Sequence, residues 1–330
     1  MKVFVVGYGS WGTALANVLA DNGHDVTIYG RNEDQVREIN EEHLNTRYFD
    51  TPLNPALKAT TDLEKVREYE IILLSVPSGA SLTVSRQIAD MIEKPVIIIN
   101  SAKGFSPVTH GRLSVEIIQM FKPELLKAYA AILGPSHAEE VVQRLQTTVN
   151  IVCENEDISK MLQQMFANEY FRVYRNSDMI GCEYGAGLKN IIAIASGILY
   201  GIGLGDNAKA SLMTRGLAEM TRYGVKMGAR RETFMGLCGM GDLIVTCTSR
   251  FSRNWQAGYT IGTNDDADVF WQTNTKTVEG AEACRIIYEE SQKLGISMPI
   301  TEQLYHVLYE HKKPSEAIYE LMTRSLKEEA

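Results

Sequence analysis

Gly7-Tyr8-Gly9-Ser10-Trp11-Gly12 is a G-x-G-x-x-G run that follows the apolar stretch 3–6 and opens an Ala/Leu-rich helical pattern. In that context the first glycine permits a tight turn, the second lets a pyrophosphate approach the backbone, and the third lets helix and strand pack closely. Unbonded N–H groups at the start of the helix then face the phosphates. The bland alternative is a glycine-rich strand–helix turn that holds nothing. Trp11 stands where a small residue is usual, and it either shields a cofactor or simply packs. The second strand pattern, 25–29, runs into Gly30-Arg31-Asn32, with no acid at those three positions. Folds that prefer NAD place an Asp or Glu there, on the ribose 2′-hydroxyl. Arg31 instead suits a 2′-phosphate, which a guanidinium grips through two hydrogen bonds. NADP(H) is therefore favoured, with NAD(H) open; a solvated loop charge is the alternative reading of Arg31.

Three further groups carry chemistry. Lys103, in Asn100-Ser101-Ala102-Lys103-Gly104, follows a strand pattern, and ligands of open α/β sheets bind at such strand ends. Lys189 is the only formally charged residue from 184 to 205, in a pattern with no polar face. Desolvation would ease its deprotonation, while a neighbouring carboxylate such as Asp242 would oppose that. Its alternative is a helix-end lysine snorkelling to solvent. The stretch 236–254 combines glycines, hydroxyls, Asp242, Arg250 and Arg253, which suits an anionic, hydroxylated ligand. Ser252-Arg253-Asn254 there begins a helix, where a phosphate is favoured. A polar loop with a serine cap is the alternative.

These residues need elements to hold them. Strand-like runs lie at 2–7, 25–29, 71–76, 95–100, 130–133, 148–153 and 171–174. Most are continuously apolar, as parallel strands buried on both faces should be. Helical patterns alternate with them at 13–22, 34–42, 81–92 and 158–168, the last capped by Asp157 or Ser159. That alternation predicts a Rossmann-like, doubly wound parallel sheet over 1–180. Helical patterns alone follow, at 186–202, 208–227, 231–237, 254–261, 280–294, 300–309 and 314–322, with Thr301 as a cap. They predict an all-α domain over 181–330. The glycines between 185 and 205 either admit a close backbone approach or end a helix.

Composition limits the function. Of 330 residues, 45% are hydrophobic and 22% charged, which is ordinary for a globular protein. With 33 basic and 41 acidic side chains the net charge is −8, which argues against nucleic acid as a partner. The apolar stretch 190–205 is too short to insert into a membrane and reads as a buried helix. The five cysteines include no C-x-x-C pair, so they read as reduced thiols of a cytoplasmic protein and not as metal ligands. The long apolar helical half suits a homodimer.

At the residues quoted above the chain resembles the bacterial-type NAD(P)-dependent glycerol-3-phosphate dehydrogenase family. The resemblance spans nearly the whole chain: 7–16 (GYGSWGTALA), 75–78 (SVPS), 134–140 (GPSHAEE), 187–193 (GLKNIIA), 215–219 (RGLAE), 239–247 (GMGDLIVTC), 252–254 (SRN), 278–280 (VEG) and 298–301 (MPIT). It implies interconversion of dihydroxyacetone phosphate, a phosphorylated triose, and sn-glycerol 3-phosphate, the precursor of phospholipids. It implies Lys189 as proton donor and acceptor. Lys103, Gly134, Ser136, Lys189, Asp242, Ser252, Arg253 and Asn254 are the implied substrate contacts. Ser10, Trp11, Arg31, Lys103, Ala138, Arg253 and Glu279 are the implied cofactor contacts, joining Gly7, Gly9 and Gly12. No metal is implied, because lysine supplies the electrophile. Arg253 fits either the substrate's phosphate or the cofactor's. Residues 258–277 depart from the family pattern, and the cluster Asp265, Asp266, Asp268 has poor helical signals, so a mobile or rearranged loop is expected there. His137 stands where the family often has an aromatic and reads as a wall residue; His43 and His110 have no motif partner.

Two rival readings remain. A 6-phosphogluconate or 3-hydroxyisobutyrate type of dehydrogenase shares the glycine turn and a helix-borne lysine, but not 134–140 or 239–247. A non-catalytic NADPH sensor would need neither Lys189 nor Asp242.

Overall fold

The run KVFVV at the start of the computed structural model forms β1 (Lys2–Val6), buried from Val3 onward. Residues 1–330 are described except Pro107, Lys276, Lys327 and Ala330. The chain divides into two compact units, Met1–Glu183 and Tyr184–Ala330.

In the first unit β1 is followed by α1 (Ser10–Asp21), β2 (Asp25–Tyr29), α2 (Glu33–Glu41), β3 (Lys58–Thr60), β4 (Ile71–Leu74), α3 (Ser78–Met91) and β5 (Val96–Asn100). Then come α4 (Leu113–Met120), β6 (Leu126–Leu133), α5 (Ala138–Val142), β7 (Thr147–Val152), α6 (Glu156–Phe166) and β8 (Phe171–Asn176). The strands form one sheet in the order β3-β2-β1-β4-β5-β6-β7-β8. β4 and β5 are buried at every residue, as strands covered on both faces must be. Val3, Val5, Leu15, Leu19, Val26 and Ile28 meet in the core between β1, β2 and α1.

The sheet is Rossmann-like and doubly wound, as expected, but it is not parallel throughout. β7 pairs antiparallel to β6, Ile132 opposite Ile151. The reason is the connection. Five-residue α5 is about 7 Å long, whereas returning along eight-residue β6 needs about 26 Å. Without a crossover helix the chain turns back directly. β3, unexpected from the sequence, is a three-residue edge strand with one buried side chain. The expected cap of α6 also moves. The helix begins two residues earlier, so Asn155 Oδ1 accepts from Ile158 N at 3.1 Å and Asp157 lies in the first turn.

α7 (Met179–Ile202) carries the chain into the second unit, where the described residues hold no strand. α8 (Asp206–Lys226), α9 (Arg231–Phe234), α10 (Asp242–Thr248), α11 (Arg253–Asn264), α12 (Asp268–Thr273), α13 (Glu279–Leu294), α14 (Pro299–Tyr309) and α15 (Pro314–Thr323) follow. At 24 residues α7 is longer than its apolar run suggested, and by length and composition it could cross a membrane. Yet 72% of its most apolar window is buried inside the protein. Its glycines explain how a helix can be so enclosed. A Cβ on Gly258 of α11 would lie 1.9 Å from Ile194 O, and one on Gly197 would lie 2.1 Å from Trp255 O. Both are far inside contact distance, so the two backbones touch where side chains would otherwise hold them apart.

Three expectations for this unit are corrected. The helix expected at 231–237 ends at Phe234, and a wide turn follows, in which Gly241 N donates to Gly236 O, five residues back. Where the sequence suggested a rearranged loop over 258–277, residues 258–264 end α11 and Asp268–Thr273 form α12, while Lys276 lies outside the described residues. Asp265, with φ of 49°, caps α11 and accepts from Ser315 N and Oγ, while Trp271 Nε1 donates to Leu308 O. The aspartates that weakened the helical pattern supply this turn. Finally, Thr301 does not cap α14. The helix starts at Pro299, and buried Glu219 of α8 reaches across to it, Oε1 accepting from Ile300 N at 2.6 Å and Oε2 from Thr301 N and Oγ1 at 3.2 Å. A carboxylate from elsewhere in the chain does the work of a local cap.

Burial pushes the Glu219 carboxyl up to about 7, against the pull of those three donors. An acid whose folded value lies above its unfolded value of about 4.3 binds more protons when folded. Stability therefore falls as pH rises through the window from about 4.3 to 7 and is level above it, a change of up to ~3 kcal/mol. Urea midpoints at pH 5 and pH 8 should drop further for the wild type than for Glu219→Gln. An equal drop would show that Glu219 does not titrate in this way.

Candidate active site

In the first unit the candidate residues gather along one sheet edge. β1, β4, β5 and β6 are parallel neighbours, so the residues just after them emerge side by side. The glycine turn follows β1. Gly7 has φ of 110°, and a Cβ there would lie 2.4 Å from Ser75 O; a Cβ on Gly12 would lie 1.9 Å from Gly7 O. Gly9 differs. Nothing lies within 4 Å of its Cβ position, and α1 starts there with no side-chain cap. The first-turn N–H groups of α1 thus meet a space that a side chain would fill. Trp11 Nε1, buried in the same turn, has no hydrogen-bond partner among the described residues. Strand, turn and uncapped helix fit a dinucleotide's pyrophosphate. Arg31, after β2, is exposed.

Lys103 follows β5, and it is no free loop lysine. Its Nζ donates to Gly134 O at 2.8 Å and to Ser136 Oγ at 3.4 Å, both just after neighbouring β6. Gly134, with φ of 144°, makes the turn that presents its carbonyl. Ala138 opens α5 four residues later, preceded by His137 at the N-cap position. The chain beyond Lys103 is anchored at α4. Ser114 N donates to Glu183 Oε1 at 3.0 Å, Ser114 Oγ donates to Oε2, and Arg112 stands 3.5 Å from the same oxygen. Burial pushes the Glu183 carboxyl up, against the pull of Ser114 and Arg112.

In the second unit Lys189 is 4% exposed and does not reach solvent. Its Nζ donates to Asp242 Oδ1 at 2.5 Å and to Thr246 Oγ1 at 2.8 Å. The wide turn before α10 delivers Asp242, and Thr246 sits one helical turn on, passing its own proton to Asp242 O at 2.6 Å. Burial pushes the neighbouring Cys247 thiol up to about 12, so it stays protonated and unreactive. Ser252 caps α11, accepting from Trp255 N at 3.2 Å, and leaves Arg253 exposed on the first turn beside a cleft of about 210 Å³ against α12. Asn254 turns inward, and its Oδ1 accepts from Gly280 N at 2.9 Å, which ties the start of α11 to the start of α13 at Glu279.

The structure thus joins Gly7, Gly9, Ser10, Trp11 and Gly12 in one turn; Lys103, Gly134 and Ser136 in one cluster; Lys189 with Asp242; and Ser252, Arg253 and Asn254 with Glu279. The sequence reading left Thr246 without a role, although its spacing of four from Asp242 was visible. It passed over Glu183, whose partners lie about seventy residues away.

Comparison with known proteins matches two stretches of the chain. Residues 2–159 match the model of the NAD-dependent glycerol-3-phosphate dehydrogenase N-terminus, and residues 178–319 match that of its C-terminus. A glycerol-3-phosphate dehydrogenase [NAD(P)+] of Exiguobacterium is 47% identical over 330 residues, covering 99% of this chain and 97% of the relative. A crystal structure of glycerol-3-phosphate dehydrogenase from Coxiella burnetii superposes with a TM-score of 0.88 at 38% identity, over 98% of this chain and 99% of that one. The yeast enzyme's structure gives 0.86 at 26% identity, over 98% and 99%.

Removing Asp242 would leave a buried ammonium without its counter-charge, which typically costs about 3–5 kcal/mol. Removing the Thr246 hydroxyl takes away one hydrogen bond, about 1 kcal/mol. Denaturant unfolding of Asp242→Ala and Thr246→Ala should keep that order. Equal losses would mean that the ion pair is not what the site rests on.

Proposed function

The chain belongs to the NAD-dependent glycerol-3-phosphate dehydrogenase family, and we propose that within it Lys189 is the catalytic acid and base. The protein is an oxidoreductase that interconverts dihydroxyacetone phosphate and sn-glycerol 3-phosphate with NAD(P)H. The nicotinamide, when bound, supplies the hydride. The remaining task falls to the chain. As the ketone is reduced its oxygen becomes an alkoxide, and Lys189 Nζ delivers a proton to it and stabilises the charge beforehand. In oxidation the neutral amine takes the proton back. Asp242 and Thr246 hold the amine in place. The observation that carries this reading is the buried Lys189–Asp242 pair at 2.5 Å, on a helix that carries no other charged residue between 184 and 202.

Lys103, Gly134 and Ser136 form one polar cluster suited to the substrate, and Ser252, Arg253 and Asn254 form a second at the start of α11, where the exposed guanidinium and the helix terminus suit a phosphate. The glycine turn with Ser10 and Trp11 takes the cofactor's pyrophosphate, and Arg31 its 2′-phosphate; Lys103, Ala138, Arg253 and Glu279 complete the cofactor contacts in the family-based reading. NADPH is therefore preferred over NADH. The five cysteines, all buried thiols outside any disulfide, suit a cytoplasmic enzyme that supplies glycerol 3-phosphate for phospholipids. The exposed Tyr319 and Met322 of α15 suit a homodimer.

Absorbance of NADPH with dihydroxyacetone phosphate tests the role of Lys189. Lys189→Ala should bind NADPH as the wild type does and turn over at least roughly a hundredfold more slowly. An active variant would remove Lys189 from the chemistry. Arg31→Ala should raise the KM for NADPH about tenfold and leave that for NADH unchanged, since a charge-assisted hydrogen bond is worth about 1.5–3 kcal/mol. A matching rise for both cofactors would show that Arg31 does not read the 2′-phosphate.

A further inference from the structure

Tyr8 fills the second place of the glycine turn, where the motif itself asks for nothing in particular. Its ring lies against Gly30. A Cβ built on Gly30 would stand 1.3 Å from Tyr8 Cε1 and 1.6 Å from Cδ1. Gly30 directly follows β2, at the place where an NAD-preferring fold carries its acid. With Tyr8 in position no side chain fits there, and so no carboxylate does.

The ring is held at both ends. The Tyr8 hydroxyl accepts from Asn32 N at 2.7 Å. The Tyr8 carbonyl accepts from Thr13 Oγ1 and from Asn45 Nδ2, each at 3.0 Å. Asn45, fully buried, accepts in turn from Gln35 Nε2 at 2.8 Å, and Gln35 belongs to α2, whose N-cap is Asn32. The bonds close a loop from the Tyr8 carbonyl through Asn45, Gln35 and the first turn of α2 back to the Tyr8 hydroxyl. That hydroxyl spends a lone pair on Asn32, and its proton has no acceptor among the described residues. Beside it in the chain stands Arg31, exposed and outside any ion pair among the described residues, whereas Asp34 of α2 is already paired with Arg37 at 2.8 Å.

We propose that Tyr8 is a cofactor-specificity residue: its ring bars an acid from position 30, and its hydroxyl donates to the 2′-phosphate that Arg31 pairs with. The inference rests on the NADPH preference proposed above. It assigns to the variable position of the turn a part of the discrimination that Arg31 does not carry alone.

Dissociation constants for NADPH and NADH, taken separately from the fluorescence of the bound dihydronicotinamide, test it without turnover. Tyr8→Phe keeps the ring and should weaken NADPH about tenfold, the scale of one charge-assisted hydrogen bond, while NADH changes less than twofold. The steric half is read from the melting temperature of the cofactor-free protein. Gly30→Asp should melt below the wild type, and Tyr8→Ala with Gly30→Asp should recover that loss and bind NADH more tightly than NADPH. The proposal is overturned if Tyr8→Phe weakens both cofactors alike, or neither, while Arg31→Ala still loses NADPH selectively. It is equally overturned if Gly30→Asp alone melts like the wild type and turns to NADH. A wild type that binds both cofactors alike removes the NADPH reading and this inference together, which separates that failure from a failure of Tyr8 alone.

Discussion

A lysine and an aspartate drawn out of water together set the terms for the helical unit. Taking either charge into the interior alone would be unfavourable by several kcal/mol, so Lys189 needs Asp242 at close range and further polar contacts besides. The wide turn before α10 and the hydroxyl one helical turn later supply both. Enclosure of α7 is what puts both groups beyond the reach of water. Glycines on α7 and α11 provide it by letting the backbones touch.

The sheet unit obeys a different rule. Parallel strands expose their carboxyl ends on one edge, so residues far apart in the chain become neighbours merely by following adjacent strands. Lys103 and Gly134 meet in this way, after β5 and β6. The glycine turn of β1 joins them through β4, because the carbonyl of Ser75, the residue after that strand, closes on Gly7. Position along the sheet decides which loops meet at that edge.

Much of this was legible in the sequence, because it rests on local pattern. Continuous apolar runs marked the buried strands, and the unbroken apolar character around Lys189 marked its burial. What escaped was non-local. Nothing near Thr301 says that its helix is capped by Glu219, some eighty residues away, and nothing near Glu183 announces Ser114. The turn at Asp265 was misread because the aspartates that spoil a helical pattern also make good caps. The β6–β7 reversal was missed because a buried antiparallel strand and a buried parallel one look alike as apolar runs. Tyr8 was passed over because the motif leaves its position open, and only the contact with Gly30 gives it meaning.

That reversal divides the sheet by duty. From β7 onward the carboxyl ends point to the opposite edge, away from the glycine turn and from Lys103. The chain after β7 leads to α6 and the chain after β8 leads into α7, so neither adds a residue to the edge where Gly7, Lys103 and Gly134 emerge.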